Sequence, residues 1–327
     1  MKNTENENPT IRWGIVGAGR IARTFANDIQ YTKHAKLTAV ASRKLTSAQA
    51  FADECSVPIA YGSYAELFAS PDIDAVYIAT PHTYHKEQSI AALRAGKHVL
   101  CEKPATITPA ELEEVIAVAT EEARYFMEGM WTYFLPIIQK TQEWVKEGRI
   151  GTLRHVRADF GFHLPYDPDL REYDSRLAGG CMFDMGIYPI AMAWLFLKQD
   201  PDKQNVWHHA ANNGVEDDVS IQYTYDKNSA TAHLCTSFRC KLPNYLTLIG
   251  DKGIISIADY WAARETKLYV HDQCIDRCTE QRPYQGFNHQ IDYVSQELLA
   301  GKIQPERVSW DDSRAFQRHM AAIKTKF

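Results

Sequence analysis

From residue 11 to about residue 130, short apolar runs alternate with stretches in which apolar side chains recur at three- and four-residue spacing. The runs over 13–16, 37–42, 75–80, 98–102 and 126–130 are largely apolar at successive positions, the pattern of strands buried on both faces. Helices are predicted over 46–55, 63–69, 84–95 and 108–122. Gly96 stands where a helix end favours positive φ, and Thr108 with Pro109 supplies a cap and a pre-set first turn. Strand–helix alternation of this length predicts a doubly wound parallel sheet, an α/β fold.

Beyond residue 130 the rhythm changes. Residues 136–147 read as an amphipathic helix, 153–162 alternate like a strand, and 182–197 form a helix after Gly179-Gly180. Strands over 219–225 and 230–238 flank the hairpin turn Asp226-Lys227-Asn228-Ser229, and 245–249, 253–257 and 267–270 continue at hairpin spacing. Helices over 287–300 and 309–324 close the chain. This predicts an α+β second domain built on one large, open, mainly antiparallel sheet. Such a sheet needs its outer face covered by helices or by a second copy of itself, so a homodimer or higher homo-oligomer through that sheet is expected. The expected division is 1–128 and 129–327, and no internal repeat is present.

Size and charge narrow the function. At 327 residues the chain exceeds one small core. Its net charge of −5, with no long basic run, disfavours nucleic acid or an anionic membrane as partner. The seven cysteines (55, 101, 181, 235, 240, 274 and 278) are scattered and form no C-x-x-C pair, so no disulfide framework or zinc ribbon is indicated. Residues 1–10 lack the apolar core of a signal peptide, and the most apolar stretch, 186–197, falls short of the ~20 residues that span a bilayer. A cytoplasmic location is expected.

The first βα turn carries Gly17-Ala18-Gly19-Arg20-Ile21-Ala22. Gly17 suits the tight turn, Gly19 leaves the backbone open to a pyrophosphate, and Ala22 lets the helix lie close to its strand. The helix N-terminus then favours the anion, although the motif alone also fits an ordinary Gly-rich turn. Dinucleotide folds that take NAD usually place an acid after the second strand, whereas this chain reads Ser42-Arg43-Lys44. A hydroxyl and a guanidinium suit a 2′-phosphate, so NADP is the expected cofactor, with NAD possible; a solvated helix entrance is the other reading of Arg43. Residues 1–128 are thus expected to bind the dinucleotide, and 129–327 the substrate and a second protomer.

Glu102-Lys103-Pro104 follows a strand at the carboxyl edge of the sheet, where ligands of open α/β folds sit; a surface lysine is the alternative. In the helix after Gly179-Gly180, Asp184 and Tyr188 stand four apart and share one face of an α-helix. An acid and a phenol on an apolar helix demand a partner, which a core Tyr–Asp bond also satisfies. With Lys103 they make a mechanism: the cation favours the phenolate, Tyr188 exchanges a proton with a substrate oxygen, and Asp184 binds a second hydroxyl or fixes Lys103. Tyr223…Lys227 has the spacing of a short-chain dehydrogenase pair but runs into a hairpin turn. His208-His209 has no ligand-spaced neighbours, reads as a loop, and indicates no metal.

These three motifs, in this order and spacing, resemble the glucose–fructose oxidoreductase, inositol dehydrogenase and MocA (Gfo/Idh/MocA) family over nearly the whole chain. Tyr188, where many inositol-type members carry His, together with Ser42-Arg43 is more similar to the dimeric, NADP-using trans-dihydrodiol and D-xylose dehydrogenases. The resemblance implies that Lys103 and Tyr188 are the catalytic pair and that Lys103–Pro104 is often cis. It also implies that Thr80, Pro81, His82 and His85 lie along the cofactor and that Glu102 and Lys103 approach the nicotinamide ribose. A helix cap is the other reading of the two histidines. Residues 131–134 resemble the family's Trp-Thr-Arg-Phe segment, except that Tyr133 replaces the Arg. Trp131 and Phe160 are candidates for a substrate wall, with a core position the alternative for Trp131. The expected function is NADP(H)-dependent hydride transfer to or from a sugar, polyol or dihydrodiol. An inositol-type NAD dehydrogenase, an anhydrofructose-type reductase and a catalytically silent NADP sensor are the rivals.

Overall fold

The computed structural model describes residues 9–327; the polar stretch 1–8, part of the terminus read above as lacking a signal peptide, lies outside them. The chain divides into two compact units. Unit 1 holds the residues through Glu102, Glu113–Trp131 and Pro283–Trp310, and unit 2 holds Lys103–Leu112, Thr132–Arg282 and Asp311–Phe327.

In chain order the first half forms β1 (Ile11–Val16), α1 (Arg20–Ile29), β2 (Ala35–Ala41), α2 (Leu45–Cys55), β3 (Ile59–Tyr61), α3 (Tyr64–Ala69), β4 (Ala75–Ile78), α4 (His85–Arg94), β5 (His98–Glu102), α5 (Pro109–Glu121) and β6 (Phe126–Gly129). The six strands make one sheet in the order β3-β2-β1-β4-β5-β6, every pair parallel. This is the predicted doubly wound sheet, and the strand order reverses between β1 and β4, the place where such folds take ligands. Trp13 is fully buried in β1, and its indole N–H donates to Ser295 Oγ on the helix Phe287–Leu299 at 3.0 Å.

Asp28, on α1 and buried, caps that same C-terminal helix. Its carboxylate accepts from the main-chain N–H groups of Gln285, Gly286 and Phe287 at 3.2, 2.7 and 2.8 Å. Asp28→Ala takes this acceptor from all three, and a stability loss of about 2–3 kcal/mol is expected. The check is a lower urea midpoint at unchanged m, and a wild-type midpoint would show that the cap is dispensable.

Unit 2 is built on α6 (Pro136–Lys146), β7 (Leu153–Gly161), α7 (Ile187–Leu197), β8 (Lys203–Ala210), β9 (Glu216–Tyr225), β10 (Ala230–Ser237), β11 (Tyr245–Gly250), β12 (Ile254–Ala258), β13 (Glu265–Val270) and β14 (Gln273–Thr279). Its eight-stranded sheet runs β14-β13-β12-β11-β7-β10-β9-β8. All pairs are antiparallel except β7 with β10, which run parallel. Val156, Ile221, Leu234, Leu246 and Leu268 turn one face inward and are buried, while Arg157, Gln222 and His233 alternate with them on the exposed face. The buried face lies under α6 and α7.

Three strands were not predicted, and all three are sheet edges: β3, β8 and β14. An edge strand with little burial carries no apolar rhythm, so Lys203–Ala210 and Gln273–Thr279 read as polar chain. His208 and His209, expected in a loop, lie in β8; His209 pairs with Asp217 at 2.7 Å. The apolar stretch expected at 186–197 extends N-terminally, so that Ser175–Leu197 is long and apolar enough, by length and composition alone, to cross a bilayer. Its most apolar window, however, is 78% buried inside the protein, as a core helix would be.

Candidate active site

The site residues expected from the sequence fall into two groups, one in each unit. In unit 1, the turn after β1 is set by Gly17. Its φ is +100°, its N–H donates to the Ala41 carbonyl at 2.9 Å, and a Cβ there would sit 3.0 Å from both the Ala79 carbonyl oxygen and Thr80 Cγ2. Gly19 differs. It is the N-cap of α1 with extended backbone, and a Cβ would meet nothing nearer than the Ala79 oxygen at 3.9 Å. The protein's own packing does not demand glycine there. The open space lies at the start of a helix with no side-chain cap and no acid in its first turn, and Gly19 and Arg20 are exposed beside it while Ala18 and Ile21 are half-buried. Unsatisfied N–H groups facing open space fit a pyrophosphate.

At the end of β2, Ser42 is half-buried and bonds through its N–H to the Tyr61 carbonyl at 3.2 Å; Arg43 is exposed. Burial raises the Tyr64 phenol above its ordinary value, and the nearby positive charge of Arg43 opposes that rise. The exposed Arg43 guanidinium is a charge available here to a 2′-phosphate.

The segment after β4 is braced from within. Thr80 Oγ1 donates to Gln88 at 2.6 Å, and His85, fully buried, donates from Nε2 to the Thr80 carbonyl at 2.8 Å. His82 is buried with its ring edge-on to His85, and Pro81 is half-buried. His85 thus braces the turn through this bond. Glu102, also buried, accepts from the Tyr77 hydroxyl, and Tyr77 stacks on Phe25 at 4.0 Å. Trp131 is buried and stacked on Phe287 at 4.7 Å.

In unit 2, Lys103 directly follows β5, and its peptide to Pro104 is cis. Its ammonium donates to the main-chain oxygen of Asp184 at 2.5 Å and lies 4.9 Å from the centre of the Tyr188 ring. The three residues singled out from sequence therefore gather, but not as the α-helical spacing implied. Met182–Gly186 is a π-turn, which shifts the register between Asp184 and Tyr188. Lysine takes the carbonyl of Asp184, while its carboxylate accepts from Arg171 Nη2 at 3.1 Å. Burial works against the charge on Arg171, but Asp184 and Glu172 outweigh it and hold the guanidinium above its ordinary value.

Tyr188 is only 5% exposed and stands edge-on to Phe160 at 5.2 Å. Phe160 stacks on Trp261 at 5.3 Å and meets Phe162 edge-on at 5.3 Å, so aromatic faces dominate this side. Arg171, Phe162 and Trp261 were not expected at the site: Arg171 and Trp261 sit in short 3-10 turns, where no periodicity marks them, and Phe162, read as the last residue of a strand, lies just past the end of β7. Tyr133, which stands where the expected Arg does not, is buried and donates to the Ala191 carbonyl at 2.7 Å, tying its segment to α7. Tyr223 lies in β9 and Lys227 in the following turn, so neither is on a helix. Among the described residues no group of three or more His, Cys, Asp or Glu gathers as a metal site.

Two family models match the chain. One is described as an oxidoreductase family with an NAD-binding Rossmann fold, over residues 11–130; the other is a GFO/IDH/MocA C-terminal domain, over 138–256. A trans-1,2-dihydrobenzene-1,2-diol dehydrogenase from Mus musculus is 38% identical over 259 residues, covering 78% of this chain and 77% of that one. Its namesake from Xenopus tropicalis is 30% identical over 312 residues, covering 92% and 93%. Among solved structures, a 3-ketoreductase from Actinomadura kijaniata in complex with NADP and TDP-benzene matches with TM-score 0.85 and 26% identity, over 97% of this chain and 98% of that one. An aldose-aldose oxidoreductase from Caulobacter crescentus complexed with glycerol matches with TM-score 0.87 and 26% identity over 97% of each.

Proposed function

The chain belongs to the Gfo/Idh/MocA family of oxidoreductases, and from that membership we propose that it is an NADP(H)-dependent dehydrogenase or reductase acting on a CH–OH carbon of a sugar, polyol or dihydrodiol. One observation carries the reading: a lysine ammonium bonded to Asp184 and lying over the Tyr188 ring. A cation beside a phenol favours its ionised form, the condition a tyrosine must meet to act as a base near neutral pH.

Gly17, Ala18, Gly19, Arg20 and Ile21 would hold the pyrophosphate, Ser42 and Arg43 the 2′-phosphate, and Thr80, Pro81, His82, Glu102 and Lys103 the nicotinamide end, with His85 bracing that turn. When bound, the dinucleotide supplies the hydride acceptor or donor. Tyr188 would hold the substrate oxygen and exchange its proton. Lys103 would keep the phenol ready, and Asp184 would orient Lys103. Phe160 and Trp261 would offer flat faces to the C–H side of a ring; Trp131, the other candidate for a substrate wall, stacks on Phe287 in unit 1. In this reading the dinucleotide is held mainly by residues of 1–128, and the substrate and a partner protomer by residues of 129–327. Trp207, 56% exposed on β8, and Tyr245, 44% exposed on β11, fit a homodimer through the open sheet face, testable by analytical ultracentrifugation. The seven free cysteines fit a reducing, cytoplasmic compartment.

The test is absorbance at the reduced-nicotinamide band with NADP+ and a panel of sugars, polyols and vicinal diols. Turnover is expected; tight binding of cofactor without turnover on any of them would favour a sensor. Arg43→Asp is expected to weaken NADP binding about 10- to 100-fold and NAD binding about threefold or less, because a carboxylate repels only the 2′-phosphate. Equal losses for the two cofactors would remove Arg43 from that role.

A further inference from the structure

The turn that carries Trp261 is gripped by side chains remote from it in sequence. It joins β12 to β13 through Tyr260–Ala262 and is entered at Asp259, whose φ is +42°. No glycine or proline lies between Asp259 and Ala263, so the local residues do little to dictate its shape. Three successive carbonyls there accept from two distant residues. Thr132 Oγ1 donates to the Trp261 oxygen at 2.9 Å, and Arg282 donates from Nη2 to Ala262 at 2.9 Å and from Nη1 to Ala263 at 3.0 Å. Thr132 is fully buried, as is the Arg282 side chain, which also pairs with Glu280. Burying a guanidinium is costly, and its rigid planar fork suits two neighbouring carbonyls. The clamp is itself anchored: Arg264 Nη1 donates to the Arg282 carbonyl at 2.7 Å, and the Glu280 N–H to the Arg264 carbonyl at 2.8 Å. What it presents is an indole. Trp261, half-buried, stacks on Phe160 at 5.3 Å with 24° between the planes, and meets Phe162 edge-on at 6.1 Å. Phe160 in turn stands edge-on to Tyr188 at 5.2 Å. The placement of the turn therefore sets where the indole plane stands relative to Tyr188.

We propose that Thr132 and Arg282 are positioning residues that give the pocket its preference for ring-shaped substrates. By holding the carbonyls of 261–263 they fix the Trp261 face against which the C–H side of a sugar or cyclic diol packs. This rests on the reading of Trp261 as a face for the substrate. A short acyclic alcohol such as glycerol has no ring to lay on that face, so it gains little from the clamp.

Two readouts test this. Steady-state kinetics compare the cyclic alcohols of the panel with glycerol, and acrylamide quenching, each protein minus its Trp261→Phe counterpart, reads the indole without any substrate. Trp261→Ala sets the limit: KM for cyclic alcohols should rise about tenfold with a smaller change in kcat, and KM for glycerol about twofold or less. Arg282→Met keeps an unbranched stem and removes the fork, so it should reproduce most of that ring-selective rise. Arg282→Lys should recover little of it, since an ammonium lacks the fork geometry. Thr132→Val removes one hydroxyl and should raise KM for cyclic alcohols about threefold, and Thr132→Ser should recover it. In Thr132→Val and Arg282→Met the indole should quench more readily than in wild type. If Trp261→Ala leaves KM for cyclic alcohols unchanged, the reading of Trp261 as a substrate face fails. If Trp261→Ala is impaired while Thr132→Val and Arg282→Met keep wild-type KM and quenching, the positioning inference fails and the substrate-face reading stands. Equal losses on cyclic alcohols and glycerol in those two variants would also overturn it, as the mark of a general structural role. Should Arg282→Met not fold, Thr132→Val decides alone; should no alcohol of the panel turn over, the quenching comparison decides.

Discussion

Tyr188→Phe is expected to lower turnover about 10²- to 10⁴-fold, the range over which a positioned acid–base group contributes, while NADP(H) affinity stays within about twofold of wild type. The separation follows from where the hydroxyl sits. Tyr188 is almost fully buried, its ring is fixed edge-on to Phe160, and the Lys103 ammonium lies over its face. Phenylalanine keeps those ring contacts and removes one oxygen, so folding should change little. The dinucleotide motif lies in unit 1 and Tyr188 in unit 2, which is why cofactor affinity is the internal control. Stopped-flow hydride transfer and fluorescence titration with NADPH measure the two quantities. Unchanged turnover would remove Tyr188 from the chemistry; equal losses in turnover and affinity would assign it to binding.

A second large effect is expected at the first βα turn. Gly17→Val places a branched side chain at φ +100° with its Cβ 3.0 Å from the Ala79 carbonyl oxygen. Backbone strain alone costs about 1–3 kcal/mol, and relieving the clash must move the turn that opens α1. Dinucleotide affinity should fall about 100-fold or more, since the proposed phosphate site is that turn, and thermal stability should fall with it. Gly19→Ala is the informative companion. The nearest atom to its added methyl is 3.9 Å away, so the protein should melt as wild type does and lose only cofactor affinity. Wild-type affinity in Gly19→Ala would deny that the open space at the helix start receives the pyrophosphate.

The contrast between these glycines shows how far sequence reasoning reaches. Both were legible as a motif, because Gly-x-Gly runs from a buried strand straight into a helix within a chain of alternating strands and helices. Their different duties were not, since only the surroundings of each Cβ separate the fold's requirement from the ligand's. Interior strands were legible for a related reason: β1, β4 and β5 are buried along nearly their whole length and so are written in successive apolar residues. The edges β3, β8 and β14 lack that burial and were missed. In the candidate site, Lys103, Asp184 and Tyr188 stood out as costly groups in apolar company. That lysine takes the Asp184 backbone and Arg171 its carboxylate depends on a π-turn, and a one-residue change of helical register leaves no trace in hydrophobic spacing. Arg171 sits in an irregular polar loop, where an arginine is ordinary.

The helix Phe287–Leu299 belongs to unit 1 although it lies near the far end of the sequence. It brings Ser295 to the buried indole of Trp13 and takes the cap offered by Asp28. During synthesis the strands of the parallel sheet therefore emerge before the helix that covers the apolar patch on β1 and α1. A truncated product ending before residue 283 would expose this patch permanently, marking it for chaperones or proteolysis. The unit begun first thus closes around a helix that is translated only after the eight strands of unit 2.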